Sequence, residues 1–234
     1  MGSLGDRMKA YEKVSQSKLM RRTPVVVRLD GKAFHTFTRG MEKPFSPILH
    51  KARKNTLEYL CENIQGCILG YSQSDELSLV IKDWHKFSTS AWFDNNLQKI
   101  VSISASMCTA RFNSELSKLQ GVPTPALFDS RAFNLTIDEV VNFLVWRQQD
   151  WERNSVQMLA RSKYSHKECH KKSCKDLLMM LESDYGIIWG ELASWEKQGE
   201  VWITGMGITE NVRFMENKDA ILHILEHTEE NGND

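Results

Sequence analysis

Two short apolar runs separated by three residues most constrain how this chain folds. The runs are residues 67–72 (CILGYS) and 76–82 (ELSLVIK), and the connection is Gln73-Ser74-Asp75. Such a short connection lets two strands pair only in antiparallel fashion, and polar residues between β-type runs are typical of a hairpin. The sequence therefore predicts an antiparallel β-hairpin over residues 67–82.

A strand and a helix precede this hairpin, and a helix and a strand follow it. Residues 24–30 (PVVVRLD) are mostly β-branched, and residues 46–66 open with a capping Ser-Pro pair and continue at helical spacing. The stretch 90–112 favours a helix and 128–135 (FDSRAFNL) favours a strand. The order βαββαβ predicts an α+β fold of the ferredoxin-like, split βαβ type, with an antiparallel sheet.

The second half of the chain is predicted to be mostly helical. Thr136 is placed to cap a long helix, and Ser165 and Ser173 each begin a capping box. Residues 200–207 (EVWITGMG) predict a late strand, and the final EENGND predicts disorder. We accordingly divide the chain into a catalytic core and a helical region, 1–135 and 136–234.

The composition fits a globular protein and excludes several other classes. Of the 234 residues 41% are apolar, and 13 glycines and 5 prolines are too few for a fibrous chain. No uncharged apolar stretch approaches the roughly 18 residues of a membrane span, and the N-terminus lacks the apolar centre of a secretory signal. Five cysteines, an odd number, indicate reduced thiols. The expectation is a soluble, cytoplasmic protein.

Three acidic residues lie where the predicted strands end. Asp30 precedes Gly31 at the end of the first strand, and Asp75 and Glu76 lie at the hairpin tip. The first and third strands of a ferredoxin-like sheet are neighbours, so Asp30 and Asp75 are expected to converge. Two carboxylates with a backbone carbonyl suit Mg²⁺, and a two-metal site activates an attacking hydroxyl and stabilises a leaving pyrophosphate. The alternative is that both are ordinary turn acids.

Cationic and polar residues near these acids are candidates for binding phosphate. The segment from Lys32 to His35 combines free backbone amides with a cation, which suits a triphosphate. Lys43, Ser74 and Arg131 are further candidates. Each of these residues, taken singly, is more often a surface residue than a ligand.

A cluster of histidines and cysteines in the second half contains the ligand types that zinc prefers. It consists of His166, Cys169, His170 and Cys174. The spacing is not that of a known zinc finger, and the two capping boxes explain the local pattern as two short helices. The sequence contains no G-x-S-x-G elbow, Walker A loop or G-x-G-x-x-G fingerprint, which argues against the usual hydrolase, ATPase and dinucleotide folds.

The net charge of zero conceals two basic blocks. Residues 1–55 carry 13 basic and 4 acidic residues, and residues 147–175 carry 8 and 3. The last 59 residues, 176–234, carry 3 basic and 13 acidic residues. Because local potential steers binding more than net charge does, the basic blocks suggest a polyanionic partner. The alternative is two solvated faces.

Four motifs in the same order resemble the tRNA-histidine guanylyltransferase family, whose members are 3′-to-5′ RNA polymerases with a polymerase-type palm. They are RLDGKAFHTF (28–37), GYSQSDELSLV (70–80), FDSRAF (128–133) and WRQQD (146–150). The resemblance runs from about Arg28 to Asp150, which is over half of the chain.

The resemblance implies a role for each candidate residue. Two Mg²⁺ ions bind Asp30, Asp75 and the Gly31 carbonyl, and Glu76 matches the third motif acid of the family. The positions expected to bind the nucleotide and its phosphates are Gly31, Lys32, Ala33, Phe34, His35, Lys43, Ser74 and Arg131. The basic blocks are expected to hold tRNA, with candidate contacts at Arg28, Arg147, Arg153, Asn154, Lys163 and Lys167.

The implied reaction extends tRNA at its 5′ end. ATP first activates the 5′ end, and the 3′-hydroxyl of an incoming nucleotide then attacks the activated phosphate, with ATP, GTP and other NTPs as substrates. Eukaryotic members carry an HINNLYN block after WRQ-x-D, whereas residues 152–158 here read ERNSVQM and keep only Asn154. In this respect the chain resembles the bacterial and archaeal members, which repair 5′-truncated tRNA in a templated reaction. A homo-oligomer, a tetramer by resemblance, is expected.

Three alternatives stay open at this point. A dedicated tRNA-histidine guanylyltransferase would add one guanosine without a template. A nucleotide cyclase uses the same palm and paired acids but needs no RNA. An RNA-binding module without catalysis would bind tRNA whether or not Asp30 and Asp75 are intact.

Overall fold

A computed structural model describes residues 2–119 and 124–227 of the chain. The C-terminal EENGND predicted to be disordered lies outside these residues. Among the helices of the described part, none is long and apolar enough to cross a membrane.

A six-stranded sheet forms the centre of the fold, with strand order β4-β1-β3-β2-β5-β6. Every neighbouring pair of strands is antiparallel. The first four strands have the 4-1-3-2 order of the ferredoxin-like arrangement, which confirms the predicted fold class. The strands are β1 (Val25–Gly31), β2 (Cys67–Gln73), β3 (Glu76–Ile81), β4 (Phe128–Asn134), β5 (Glu200–Ile203) and β6 (Gly207–Thr209).

Helices cover both faces of the sheet. On one face α3 and α4 bury Val27, Leu29 and Leu79, and on the other α5 and α9 bury Val26 and Val80. Alternate residues of a strand point to opposite faces, so the apolar β1 and β3 supply both cores. The helices are α1 (Leu4–Val14), α2 (Phe34–Phe37), α3 (Pro47–Asn63), α4 (Leu97–Leu119), α5 (Ile137–Lys163), α6 (His166–Cys169), α7 (Cys174–Tyr185), α8 (Ser194–Lys197) and α9 (Lys218–His227).

Two predicted elements have different bounds in the structure. The helix predicted over 90–112 begins at Leu97, because Phe93, Asp94 and Asn95 have positive φ and form a turn. The side chain of Asn96 accepts a hydrogen bond from the Lys99 amide and so caps α4. The strand predicted over 200–207 is the first half of a hairpin, β5 and β6.

Strands from both halves of the chain share the sheet. β5, from the second half, pairs with β2, from the first half. The division into 1–135 and 136–234 therefore stays a prediction about folding units, although the region after residue 136 is mostly helical as expected.

Candidate active site

The β2–β3 turn places Asp75 beside the end of β1. Ser74 adopts positive φ (48°), which makes the turn tight, and the backbone amide of Gly31 donates to the Asp75 carbonyl at 3.1 Å. In the strand register Asp30 lies opposite Glu76 of β3 and opposite Asp129 of β4. The predicted convergence of Asp30 and Asp75 is therefore present in the fold.

Asp75 lies in an environment that disfavours its negative charge. Burial raises the pKa of its carboxyl above the usual range, and the neighbouring Asp30 charge raises it further. The Ser74 hydroxyl donates to Asp75 Oδ1 at 3.0 Å and partly offsets this effect on the pKa. A pair of carboxylates in this state is stabilised by a cation.

Gly31 is required by packing at this point of the chain. A Cβ at residue 31 would lie 2.2 Å from the Phe34 ring, which is itself buried against Phe37, Phe112 and Phe128. The ring of Phe34 thus fills the space that a side chain at residue 31 would need. The side chain of Phe34 anchors the β1–α2 segment to the core.

A cavity of about 340 Å³ adjoins Asp75, and we call it the Asp75 cavity. Five phenylalanine and tryptophan side chains contribute to its walls, and among them Phe45 makes edge contacts with both Trp151 and Trp195. Apolar walls with a few polar groups are typical of small-ligand sites. Its polar lining includes His35, Lys43, His50, Arg53, Ser74 and Asp75.

The predicted nucleotide-binding residues are distributed over separate surfaces. His35, Lys43 and Ser74 line the Asp75 cavity, where Lys43 Nζ donates to Thr38 Oγ1 at 3.3 Å. Lys32 and Ala33 instead line a neighbouring cavity of about 680 Å³. Arg131 lies on the other side of Asp30, with its Nη2 4.0 Å from Asp30 Oδ2. The structure does not bring the whole predicted set into one cavity.

Arg53 is a site residue that the sequence analysis missed. It is buried within α3, and its Nη1 donates to the Ser74 carbonyl in the hairpin turn at 2.9 Å. Burial lowers its pKa, and the opposite charge of Glu200 counteracts this. Nothing local in the sequence marks Arg53, because charged residues of an amphipathic helix are usually solvated.

A chain of contacts connects Arg53 to β5. Arg53 Nη2 lies 3.9 Å from Glu200 Oε2, and Glu200 Oε1 hydrogen-bonds His50 Nε2 at 2.8 Å. The His50 ring is stacked on Trp195, with centroids 4.1 Å apart. These contacts join residues about 150 positions apart, so the β2–β3 turn is held from the second half of the chain.

Glu76 lies in a buried ion cluster. Arg147 Nε and Nη2 donate to its two carboxylate oxygens at 2.7 and 2.8 Å, and Arg28 Nη2 lies 2.7 Å from Oε2. The carboxylate of Glu76 is therefore already neutralised by two guanidinium groups. Glu76 is therefore better placed to hold the end of β3 beside Asp30 and Asp75 than to bind a further cation.

The candidate tRNA contacts differ strongly in exposure. Arg147 is buried against Glu76 and Asp150, so its guanidinium is directed away from solvent, contrary to a phosphate-binding role. Arg153 is exposed and pairs with Asp150, which also accepts from Asn154 Nδ2 at 3.3 Å. Two further candidates, Lys163 and Lys167, are exposed.

The His/Cys segment forms two capped helices. Ser165 caps α6 and Ser173 caps α7, each with its reciprocal acidic partner, as the two capping boxes predict. Cys169 and Cys174 pack against a small core that contains Leu177 and Leu181. Throughout the described ranges, no group of three or more His, Cys, Asp or Glu side chains is arranged to hold a metal ion.

The donor set at Asp30 and Asp75 nevertheless fits magnesium. Two carboxylates and a backbone carbonyl are hard oxygen ligands, and Mg²⁺ usually completes its shell with water and phosphate oxygens. Burial raises the pKa of Asp75, the Asp30 charge raises it further, and a bound cation would offset both effects by favouring the charged carboxylate.

Comparison with protein families gives one match that covers more than half of the chain. The Thg1 family, described as tRNAHis guanylyltransferase, matches residues 5–136. The chain is also similar to the tRNA(His) guanylyltransferase of Schizosaccharomyces pombe, with 30% identity over 154 residues. That alignment covers 64% of this chain and 56% of the yeast protein, so the chain spans little more than half of that relative's length.

Solved structures of bacterial Thg1-like proteins match nearly the whole chain. One in complex with ATP has a TM-score of 0.92 and 40% identity, and covers 96% of this chain and 100% of its own. Another, in complex with GTP, has a TM-score of 0.84 and 37% identity, with the same coverage of both chains. The similarity therefore includes both the sheet and the helical second half.

Proposed function

This chain belongs to the Thg1 family of nucleotidyltransferases, and from that premise we propose that it adds nucleotides to the 5′ end of tRNA in the 3′-to-5′ direction. The observation that carries the proposal is the Asp30–Asp75 pair at the edge of a nucleotide-sized, aromatic-walled cavity. In the reaction the 5′-phosphate of tRNA attacks the α-phosphate of ATP and displaces pyrophosphate. The 3′-hydroxyl of the incoming NTP then attacks the activated phosphate and displaces AMP.

Asp30, Asp75 and the Gly31 carbonyl would hold magnesium, and we propose two ions. The metal supplies positive charge where phosphoryl transfer concentrates negative charge. The protein contributes mainly through positioning: the Gly31–Asp75 backbone hydrogen bond joins the two acid-bearing segments, and Arg53 holds the turn.

The cavity residues are placed to bind a nucleoside triphosphate. Lys43 and His35 provide a cation and a ring nitrogen on the lining, and Ser74 provides a hydroxyl next to Asp75. The aromatic walls exclude water and offer ring faces to a base. ATP and GTP are the ligands bound in the two similar bacterial structures. We propose that ATP, GTP and the other NTPs are substrates of this chain.

We favour templated repair of 5′-truncated tRNA over addition of a single guanosine. The similarity to bacterial Thg1-like proteins at 40% and 37% identity supports this choice. Residues 152–158 also support it, because they differ from the HINNLYN block of the eukaryotic members. This segment lies on α5, where Arg153 and Asn154 both contact Asp150. The second candidate, a dedicated tRNA-histidine guanylyltransferase, is favoured by the yeast relative's activity.

Four truncated tRNAs that differ only in the base opposite the missing nucleotide distinguish the two functions. Templated repair predicts that each tRNA receives the complementary nucleotide, whereas a dedicated guanylyltransferase adds guanosine regardless of the opposite base. Full-length histidine tRNA serves as the matched control. Efficient guanosine addition to this control together with no extension of the truncated set would contradict templated repair.

We also propose that the protein acts as a homo-oligomer, a tetramer by family resemblance. Helix α1 supports this, because none of its residues is buried although Leu4, Met8, Tyr11 and Val14 are apolar. An 11-residue helix is marginally stable alone in water, so an apolar stripe on it favours a covering surface.

A further inference from the structure

A third cavity lies on the side of Asp30 away from the Asp75 cavity. It has a volume of about 500 Å³, and we call it the Trp146 groove. Its lining includes Arg28, Arg131, Phe133, Asn142, Phe143 and Trp146. Arg131 and Phe133 of β4, an edge strand of the sheet, form part of this lining.

Trp146 is a large aromatic residue left half exposed and supported from beneath. Trp146 is 52% exposed, and the Arg147 guanidinium lies 4.5 Å from the centroid of its ring. Phe143 contacts Trp146 edge-on at 6.0 Å and is itself supported by Phe133. An exposed, immobilised indole beside cations is the arrangement on which nucleic-acid bases stack.

Two arginines connect this groove to the acids. Arg28 Nη2 lies 3.5 Å from Asp30 Oδ2, and Arg131 Nη2 lies 4.0 Å from the same oxygen. Arg28 Nη2 forms a closer ion pair with Glu76 Oε2, at 2.7 Å. The side chain of Arg131, in contrast, is 58% exposed. Arg131 therefore has donors available for a phosphate beside Asp30.

We propose that the Trp146 groove binds the terminal nucleotide of the RNA strand whose 5′ end reacts, with its base stacked on Trp146 and its phosphate at Arg131. The inference rests on the proposed function and deepens it, because a two-substrate reaction needs a site on each side of the acids. The more enclosed Asp75 cavity suits a free nucleotide. The Trp146 groove lies at an edge strand, where the rest of an RNA strand can extend beyond the protein. The exposed Arg131 on its lining carries the charge opposite to that of a phosphate, although Glu139 also lines the groove.

Trp146→Ala and Trp146→Phe test this assignment in the full-length protein. Loss of one stacked base is expected to weaken binding of 5′-truncated tRNA about tenfold, within the range measured for base–aromatic stacking. The KM for NTP should change less than twofold, and Trp146→Phe should restore most of the RNA affinity. Phe87→Ala is the matched control, because Phe87 is also an exposed ring over an arginine, at 5.2 Å from Arg22, but follows the opposite end of β3.

Tryptophan fluorescence gives a second readout that does not depend on Trp146→Ala folding well. Of the seven tryptophans, Trp146 should account for the quenching caused by truncated tRNA, so that quenching should disappear in Trp146→Phe. Unchanged quenching and unchanged RNA affinity in the variants would overturn the inference, and so would a raised KM for NTP with RNA affinity intact. Failure of the proposed function appears differently, as a wild-type protein that extends no tRNA.

Discussion

At the scale of single residues, the acids near the hairpin tip divide into two kinds. Glu76 is neutralised by Arg28 and Arg147, so it stabilises the end of the sheet. Asp75 lies beside Asp30, and burial together with that like charge raises its pKa. The sequence predicts all three as one catalytic set, because it shows their spacing along the chain and not the arginines that approach from another helix.

Replacement of Asp75 by Asn should stabilise the metal-free protein at neutral pH. The folded-state pKa of Asp75 is raised above 3.8, so the folded state binds its proton more readily and loses stability as pH rises through that pKa. Asp75→Asn removes this loss, and thermal melts in EDTA should show a higher Tm than wild type at pH 7 and no gain near pH 3.

With magnesium present, the wild type should have a higher Tm than Asp75→Asn. A cation that binds the folded state raises Tm with its concentration, and wild type should gain while Asp75→Asn does not. A wild-type Tm insensitive to millimolar Mg²⁺ would contradict a metal site at Asp75.

Arg147→Met should destabilise the fold rather than weaken tRNA binding directly. Removal of Arg147 leaves Glu76 with one guanidinium partner, Arg28, instead of two, so the cost should not exceed about 3–5 kcal/mol, the cost of a fully broken buried pair. Urea denaturation measures this loss, with the exposed Arg153→Met as control. A stability close to wild type, accompanied by weaker tRNA binding, would instead assign Arg147 to phosphate contact.

At the scale of elements, the strand and helix order could be predicted because each segment has a clear periodicity. α4 starts seven residues after the predicted residue 90, because the positive-φ residues at 93–95 form a turn that periodicity alone does not reveal. Asn96 before Leu97 is the local signal that could have located it. Arg53 and Glu200 could not be found in this way, because their contact depends on β5 pairing with β2.

Arg53→Lys should slow catalysis with little effect on RNA affinity. Lysine keeps the charge but loses the planar fork that holds the Ser74 carbonyl, so the turn that carries Asp75 becomes less well positioned. We expect kcat to fall about tenfold, which corresponds to about 1.4 kcal/mol in the barrier. Lys51→Arg, an exposed change on the same helix, is the control.

That experiment also separates positioning from folding. A parallel fall in Tm and in the fraction of active protein, with kcat per active site unchanged, would make Arg53 a structural residue alone. A fall in kcat with a constant KM for tRNA supports the positioning role.

At the scale of the whole molecule, the acids lie between two cavities, and the strands that carry them are buttressed by both halves of the chain. The candidate tRNA contacts extend along α5, where Lys163 is about 24 Å from Arg147 along the helix axis. In the sequence these residues appear as one basic block, 147–175. Only the fold shows which of its side chains are exposed and which, like Arg147, are buried.

The apolar stripe on α1 should contribute to assembly. Light scattering of the wild type should give about 108 kDa, four times the chain mass of 27.0 kDa. The double variant Met8→Glu, Tyr11→Glu should shift the protein to a smaller species, because it places charge on the stripe. Lys13→Glu, on the other side of α1, should not. A wild-type protein of 27.0 kDa would refute the oligomer.

The most direct test of the central claim is extension of a 5′-truncated tRNA by the wild type, Asp30→Asn, Asp75→Asn and the exposed control Asp138→Asn, each with Mg²⁺, ATP and the four NTPs. We predict lengthening at the 5′ end by the complementary nucleotide in the wild type and the control. The reaction should be lost by at least 100-fold in the two site variants, because each removes a ligand needed for phosphoryl transfer. Equal extension by all four proteins, or conversion of NTP to a cyclic product without RNA, would contradict the account.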